Sequence, residues 1–364
     1  MKFLVVFCML FFVAAASPAA TFDELSTRAA AARDANRISE AIELYRQALE
    51  LNPKWQEGVW FLGTFLYQKG DYAGAQKAFG RFVTLAPQAG PAWGLLALAE
   101  FRTGAYDSAL EHLERSLDLK AGEQEGIGFI LRYHHAQLLT RAGAFEQALR
   151  AFRPFLQSGS ADPSLLAAVG LAALHRPRLV GDVPAAELEL LQAAGKATAL
   201  TMSGRTDEAR ASFADLLKRF GGSPDIHYLY GCFLFPTSPD EAIAEMKREL
   251  AISPNHPGAS AMIAWSLLVD ADPGAALPHA QIAAAGEQKS ATAQYVMGRS
   301  LHETGRSKEG LPYLEAAASL DASNWENRVA LVTAYAKLGR YADAKRERAN
   351  ALRLSAEAAG IAQR

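Results

Sequence analysis

Apolar residues along this chain recur with helical periodicity, in stretches that glycine or proline interrupts. Six interruptions share local wording: Gly70-Asp71-Tyr72, Gly104-Ala105-Tyr106, Gly143-Ala144-Phe145, Gly204-Arg205-Thr206, Gly305-Arg306-Ser307 and Gly339-Arg340-Tyr341. A glycine just past a helix can adopt the left-handed conformation that satisfies the last carbonyls. The residue two further on then opens a second helix and, when aromatic, packs into the angle between the two. Each unit therefore reads as helix, tight turn, helix.

The units repeat at a fixed period. Ala41, Ala75 and Ala109 stand 34 residues apart, as do Pro53 and Pro87, Gly70 and Gly104, and Gly305 and Gly339. Within that period, Trp93-x2-Leu96-Ala97 and Leu62-Gly63 with Leu66 occupy first helices, with Val59 where the second version lacks its Trp. Second helices carry Ala41-x3-Tyr45, Ala75-x3-Phe79, Ala148-x3-Phe152 and Ala209-x3-Phe213. These residues resemble the tetratricopeptide repeat, whose first helix has Trp, Leu-Gly and Tyr and whose second has Ala-x3-Phe and a closing Pro. The likeness covers residues 22 to 155 and 290 to 352. It departs from the pattern at Glu100, where Tyr is expected, and at Arg348, where an aromatic is expected after Ala344. The resemblance implies an all-α fold: a right-handed superhelical solenoid of antiparallel helix pairs, with about nine to ten units, some of them degenerate.

The middle of the chain breaks the rhythm. Gly143 and Gly204 are 61 residues apart, less than two periods, and between them Arg176 to Pro184 contains two prolines and reads as a loop. Pro236-Thr237-Ser238-Pro239 replaces another glycine turn. The expected organisation is a signal peptide over 1–19 and an N-terminal array over 20–158. Degenerate repeats follow over 159–223, with an irregular loop near 176–184. A C-terminal array with its capping helix covers 224–354, and a frayed tail 355–364.

Composition changes the picture at the N-terminus and in charge. Lys2 precedes the apolar run Phe3 to Val13, followed by small residues from Ala14 to Ala20. That order is expected of a secretory signal peptide cleaved after Ala16 or Ala19. The run is about fourteen residues long to Ala16, short of the roughly 20 needed to span a membrane; an uncleaved membrane anchor is the alternative. Export, to the periplasm or beyond, is therefore expected. Loss of Cys8 with the leader leaves Cys232 alone, so no intramolecular disulfide can form. Half the residues are hydrophobic, and a formal net charge of −2 argues against a general nucleic-acid binder.

Motifs for chemistry do not assemble. His302-Glu303 lacks the second His of a metal helix, Gly195-Lys196-Ala197 is not a phosphate loop, and Gly126-Ile127-Gly128 follows no strand. His134 and His135 point about 100° apart on a helix, so one metal cannot easily take both. Cys232 lies in an apolar run and reads as a buried thiol. No cofactor, metal or catalysis is expected. The resemblance implies instead that first helices line a concave face that binds a protein or peptide. Aligned on the glycine turns, the groove positions are Trp60, Thr64, Tyr67 and Gln68; Phe101 and Arg102; Tyr133, His134, Gln137 and Arg141; and Tyr228 and Tyr295. Leu98, His302 and Glu303 fall on the same face. Two other readings compete: a pocket built by the irregular middle around Asp182, Glu187 and Glu189, serving an enzyme or accessory, and self-assembly of one array on another.

Overall fold

The computed structural model describes residues 20–124, 126–157 and 162–362. The expected signal peptide over 1–19 lies outside them. Among the described residues there are nineteen α-helices and no strand, so the fold is all-α, as expected. Its contacts divide it after Ala121 into two compact units.

The first unit holds three helix pairs: α1 (Phe22–Asp34) with α2 (Ile38–Leu51), α3 (Gln56–Gln68) with α4 (Tyr72–Leu85), and α5 (Gly90–Thr103) with α6 (Tyr106–Asp118). Thr21 opens α1 with a capping box, its hydroxyl accepting from the Glu24 amide while the Glu24 carboxylate accepts from the Thr21 amide. Glu100, at the position where the repeat prefers Tyr, is buried and meets His112 Nδ1 at 2.7 Å. That hydrogen bond, against the cost of burial, raises the His112 pKa above its ordinary value.

The second unit begins with α7 (Ile127–Arg141) and α8 (Phe145–Gln157). A single helix, α9 (Pro163–Ala173), follows, then an extended stretch and a short 3-10 turn at Val180–Asp182. Pairing resumes with α10 (Ala185–Met202) and α11 (Thr206–Phe220), α12 (Ile226–Leu234) and α13 (Pro239–Ile252), and α14 (Pro257–Val269) and α15 (Pro273–Gly286). It ends with α16 (Ala291–Glu303) and α17 (Ser307–Leu320), then α18 (Trp325–Lys337) and α19 (Tyr341–Ala362). The last helix thus continues past Leu354, through a stretch rich in Ala, the best helix former.

One rule organises most of the nine pairs. There the second helix carries a small residue followed, after three others, by a residue that fills the space beside it. Ala41 with Tyr45, Ala75 with Phe79, Ala109 with Leu113, Ala148 with Phe152 and Ala209 with Phe213 are all at most 1% exposed. The pattern persists where the repeat is hard to read, as Ala242 with Met246 and Gly310 with Leu314, while α15 has small residues at both positions, Ala276 and Ala280. Small residues let the helix axes approach while large ones fill the remaining volume. In α19 it lapses outright: Ala344 is buried but Arg348 is exposed.

The glycines Gly70, Gly104, Gly143, Gly204, Gly305 and Gly339 all have φ between 71° and 88°, the left-handed turn that their sequence context predicts. Five other described residues have positive φ without being glycine: Asn36, Lys120, His175 and Ala271 just past helices, and Asp225 just before α12. The closest helix contact is α9 on α10. A Cβ added to Gly170 would lie 2.0 Å from the Leu191 carbonyl oxygen, and one on Gly195 would lie 1.8 Å from that of Leu166.

Candidate functional site

Two clefts in the second unit gather chemically informative residues. The first is a groove across α14, α16 and α18, the first helices of three successive pairs, with a volume of about 490 Å³. Trp265 and Tyr295 form its floor, with ring centroids 4.9 Å apart. Val269, Trp325 and Val329 stand along it at 66%, 40% and 42% exposure, high for such side chains on a packed array. Arg299 crosses the floor, donating to the Leu268 carbonyl at 3.2 Å and to Glu303, with the Tyr295 hydroxyl at 3.5 Å. His302 meets Ser307 Oγ at 2.9 Å, and burial lowers its pKa, so the imidazole is held neutral. A short aromatic platform with one fixed guanidinium–carboxylate pair offers both apolar area and orientation to a peptide.

The second cleft, about 530 Å³, lies among Phe145, His175, Asp225, His256, Glu287 and Lys289. His175 Nδ1 is hydrogen-bonded to the Glu287 carboxylate, and its ring stacks on Phe145 at 4.6 Å. The Tyr228 hydroxyl is 3.4 Å from His175 Nε2, and the Tyr228 ring lies 4.7 Å from that of His256. Burial holds the Tyr228 phenol neutral, well above its ordinary pKa. Among the described residues, Asp225, Glu249 and His256 bring ligand-type atoms within 4.8 Å of one another. Their hydrogen bonds already have a structural purpose. Glu249 accepts from the amides of Asp225 (2.9 Å) and Tyr228 (3.3 Å), which cap α12. His256 Nδ1 accepts from the Ala259 amide at 3.0 Å, capping α14, so the neutral ring carries its proton on Nε2, which faces Asp225 Oδ1 at 3.1 Å. A cation at Nε2 would have to displace that proton as well, leaving an imidazolate. The donor set therefore suits a pair of helix caps better than a metal.

The sequence-predicted groove residues fall in several places. In the first unit Trp60 packs on Phe79 and Phe82, and the Thr64 hydroxyl returns to the Trp60 carbonyl at 2.9 Å. Tyr67 and Arg102 meet on Tyr72, edge-on at 5.1 Å and over the ring at 4.3 Å. Phe101 lies against Tyr106, and Gln68 is exposed. In the second unit Tyr133 packs on Phe152 and Phe155, and His134 Nδ1 donates to the Ile130 carbonyl; Gln137 and Arg141, half-buried, share α7. Tyr228 belongs to the second cleft, and only Tyr295, with His302 and Glu303, lies in the first. Trp265, Arg299, Trp325 and Val329 are groove residues that alignment on the glycine turns did not single out. Two of the three acids of the irregular middle are engaged: Arg176 and Arg178 hold Glu187, and Arg219 holds Glu189, while Asp182 is exposed. The hydrogen bond from Arg178 lowers the Glu187 pKa, opposite to the shift that a general acid needs. No described helix is long and apolar enough to cross a membrane.

Comparison with known proteins places the repeats. Family models described as tetratricopeptide repeat match residues 22–55, 62–124 and 291–324. Protein FlbA of Caulobacter vibrioides is 32% identical over 125 residues, 34% of this chain, and the chain spans 20% of that protein's length. Among solved structures, MamA from Desulfovibrio magneticus RS-1 is 18% identical, with 46% of this chain and 96% of that one covered at a TM-score of 0.37. YrrB, described as a TPR protein with an unusual peptide-binding site, is 16% identical, with 65% and 88% covered at a TM-score of 0.31. With repeat matches towards both ends and the small-large rule holding in seven of the nine helix pairs, the chain is a tetratricopeptide-repeat protein.

Proposed function

We propose that this protein is a non-catalytic scaffold of the cell envelope that binds a segment of a partner protein in the groove of α14, α16 and α18. The observation that carries the reading is the solvent-open strip of Val269, Trp325 and Val329 beside the Trp265–Tyr295 floor. Apolar side chains placed in a row on successive first helices are poorly accounted for by the packing of their own pairs, and a partner segment that inserts an apolar side chain there would remove them from water. Arg299 and Glu303 would set its direction by pairing with its polar groups. Export rests on the order of residues at the N-terminus, Lys2 followed by the apolar run and small residues.

The test is affinity capture from the envelope fraction of the producing organism, comparing the parent chain with Trp325→Ala and Val269→Asp. Both sites are exposed, so the variants should keep their helix content. If an aromatic anchor contributes about 2 kcal/mol, capture at limiting bait falls by roughly thirtyfold. Equal recovery of the same partners by all three proteins sinks the groove reading.

A further inference from the structure

Seven helices intervene between α8 and α16, yet the two are joined directly. The Glu146 carboxylate of α8 accepts from Ser290 Oγ (2.6 Å) and from the amides of Ala291 (3.1 Å) and Thr292 (3.3 Å), so it caps α16 from a distant part of the chain. One position on, Gln147 donates to the Leu320 carbonyl at 3.0 Å. Arg150 reaches the same carbonyl at 3.3 Å and Asp321 Oδ2 at 3.3 Å, which satisfies the end of α17. The third contact is His175, just past α9, on Glu287 in the turn before α16. These contacts are polar or charged; those of Glu146 and His175 act on the start of α16, the helix that carries Tyr295, Arg299, His302 and Glu303 of the groove, and those of Gln147 and Arg150 on the end of its partner α17.

We propose that this seam is a proton-linked clasp: while His175 is charged it holds the Glu287–Thr292 turn and α16 in place, and when His175 is neutral the grip loosens and the groove's central helix moves with it. His175 is the one member of the seam with a charge that can change near neutral pH. Its surroundings are mixed. Glu287 faces it from the α15–α16 turn, Glu146 from α8, Asp225 and Tyr228 from α12, and His256 from the start of α14. Arg176, the next residue, reaches Asp225 Oδ2 at 3.7 Å, Lys289 lines the same cleft, and Cys232 lies behind Tyr228. Burial disfavours the imidazolium, but Glu287, with smaller help from Asp225 and Glu146, outweighs it and raises the pKa above the ordinary value. The clasp's contribution is then complete below the ordinary imidazole pKa and is lost as pH rises through the folded one. The backbone agrees with a held position: His175 has φ 50° and Asp225 φ 77°, conformations that side chains other than glycine's adopt at a cost and that surrounding contacts must maintain.

Coupling to the groove rests on the reading given under Proposed function; closure of the seam does not. Closure is measured on the full chain with nitroxide labels at Arg153→Cys on α8 and Ser323→Cys beyond α17, both exposed, in a Cys8→Ser/Cys232→Ala background that leaves no other thiol to label. At about pH 6 a single narrow distance is expected, and at about pH 9.5 a broader distribution longer by about 5 Å or more, the scale of a one-turn displacement. Glu287→Gln and His175→Gln should abolish the pH response. The Glu287 variant keeps the side chain's size, and circular dichroism confirms that each variant folds. An unchanged distance across this range in the parent, or a response that survives in Glu287→Gln, overturns the clasp. Amide exchange over residues 291–303, corrected for the intrinsic pH effect, should rise about tenfold when the seam opens. Opening without that rise overturns the coupling. Failure of Trp325→Ala to reduce capture bears on the groove alone.

Discussion

His135 and His175 are both interior imidazoles of the second unit, and their surroundings drive them in opposite directions. His135 on α7 has its Nε2 buried without a hydrogen-bond partner, and burial pushes its pKa down to about 4. Between the ordinary imidazole value and about pH 4 the unfolded chain takes a proton there that the native chain refuses, so stability falls as pH falls through that window. His135→Leu should flatten the slope: urea unfolding of the parent should lose on the order of 3 kcal/mol between about pH 7 and pH 4 that the variant keeps. An identical pH dependence in both would rule out His135 as the source. His175 works on the alkaline side, because a carboxylate stands where His135 has none. Sequence shows both histidines and neither partner. Glu287 is 112 residues from His175, and no local pattern links them.

At the scale of the helix, legibility follows how local the cause is. The six glycine turns were legible because glycine itself makes the left-handed conformation cheap. The turns at Asn36, His175 and Ala271 were not, since there the preceding helix's C-terminal hydrogen bonds and the packing impose the conformation on residues that gain nothing from it. The groove shows a different limit. Trp265, Tyr295 and Trp325 are spaced by 30 residues, not 34, so each aromatic sits one helical turn earlier than its predecessor and an alignment at the repeat period passes over two of them. Helix contact also decides which glycines matter. Gly195→Ala should force α9 and α10 apart and cost about 3 kcal/mol, at the upper end of overpacking. Gly222→Ala, where an added Cβ meets nothing within 4 Å, should change the urea midpoint little. Equal effects of the two would show that the close crossing is not what holds this pair.

For the molecule as a whole, stability has to come from packing, with Cys232 the one free cysteine among the described residues. Burial pushes that thiol up to about 12, so the half-buried side chain is protonated and unreactive at neutral pH. Its reaction with a thiol reagent should therefore follow the unfolding curve, and rapid modification of the native protein would refute the assignment. The seam between α8 and α16–α17 has a consequence for how such a chain can change over generations. An open array can gain or lose a helix pair and keep every remaining interface, because each pair meets only its neighbours. Here Glu146 must find Ser290 across an intervening stretch of fixed rise and rotation. Inserting or deleting one pair between them would carry the two out of register. The segment from α9 to α15 is in effect a gauge: its number of helices is set by the closure it must reach, while pairs outside the seam remain free to multiply.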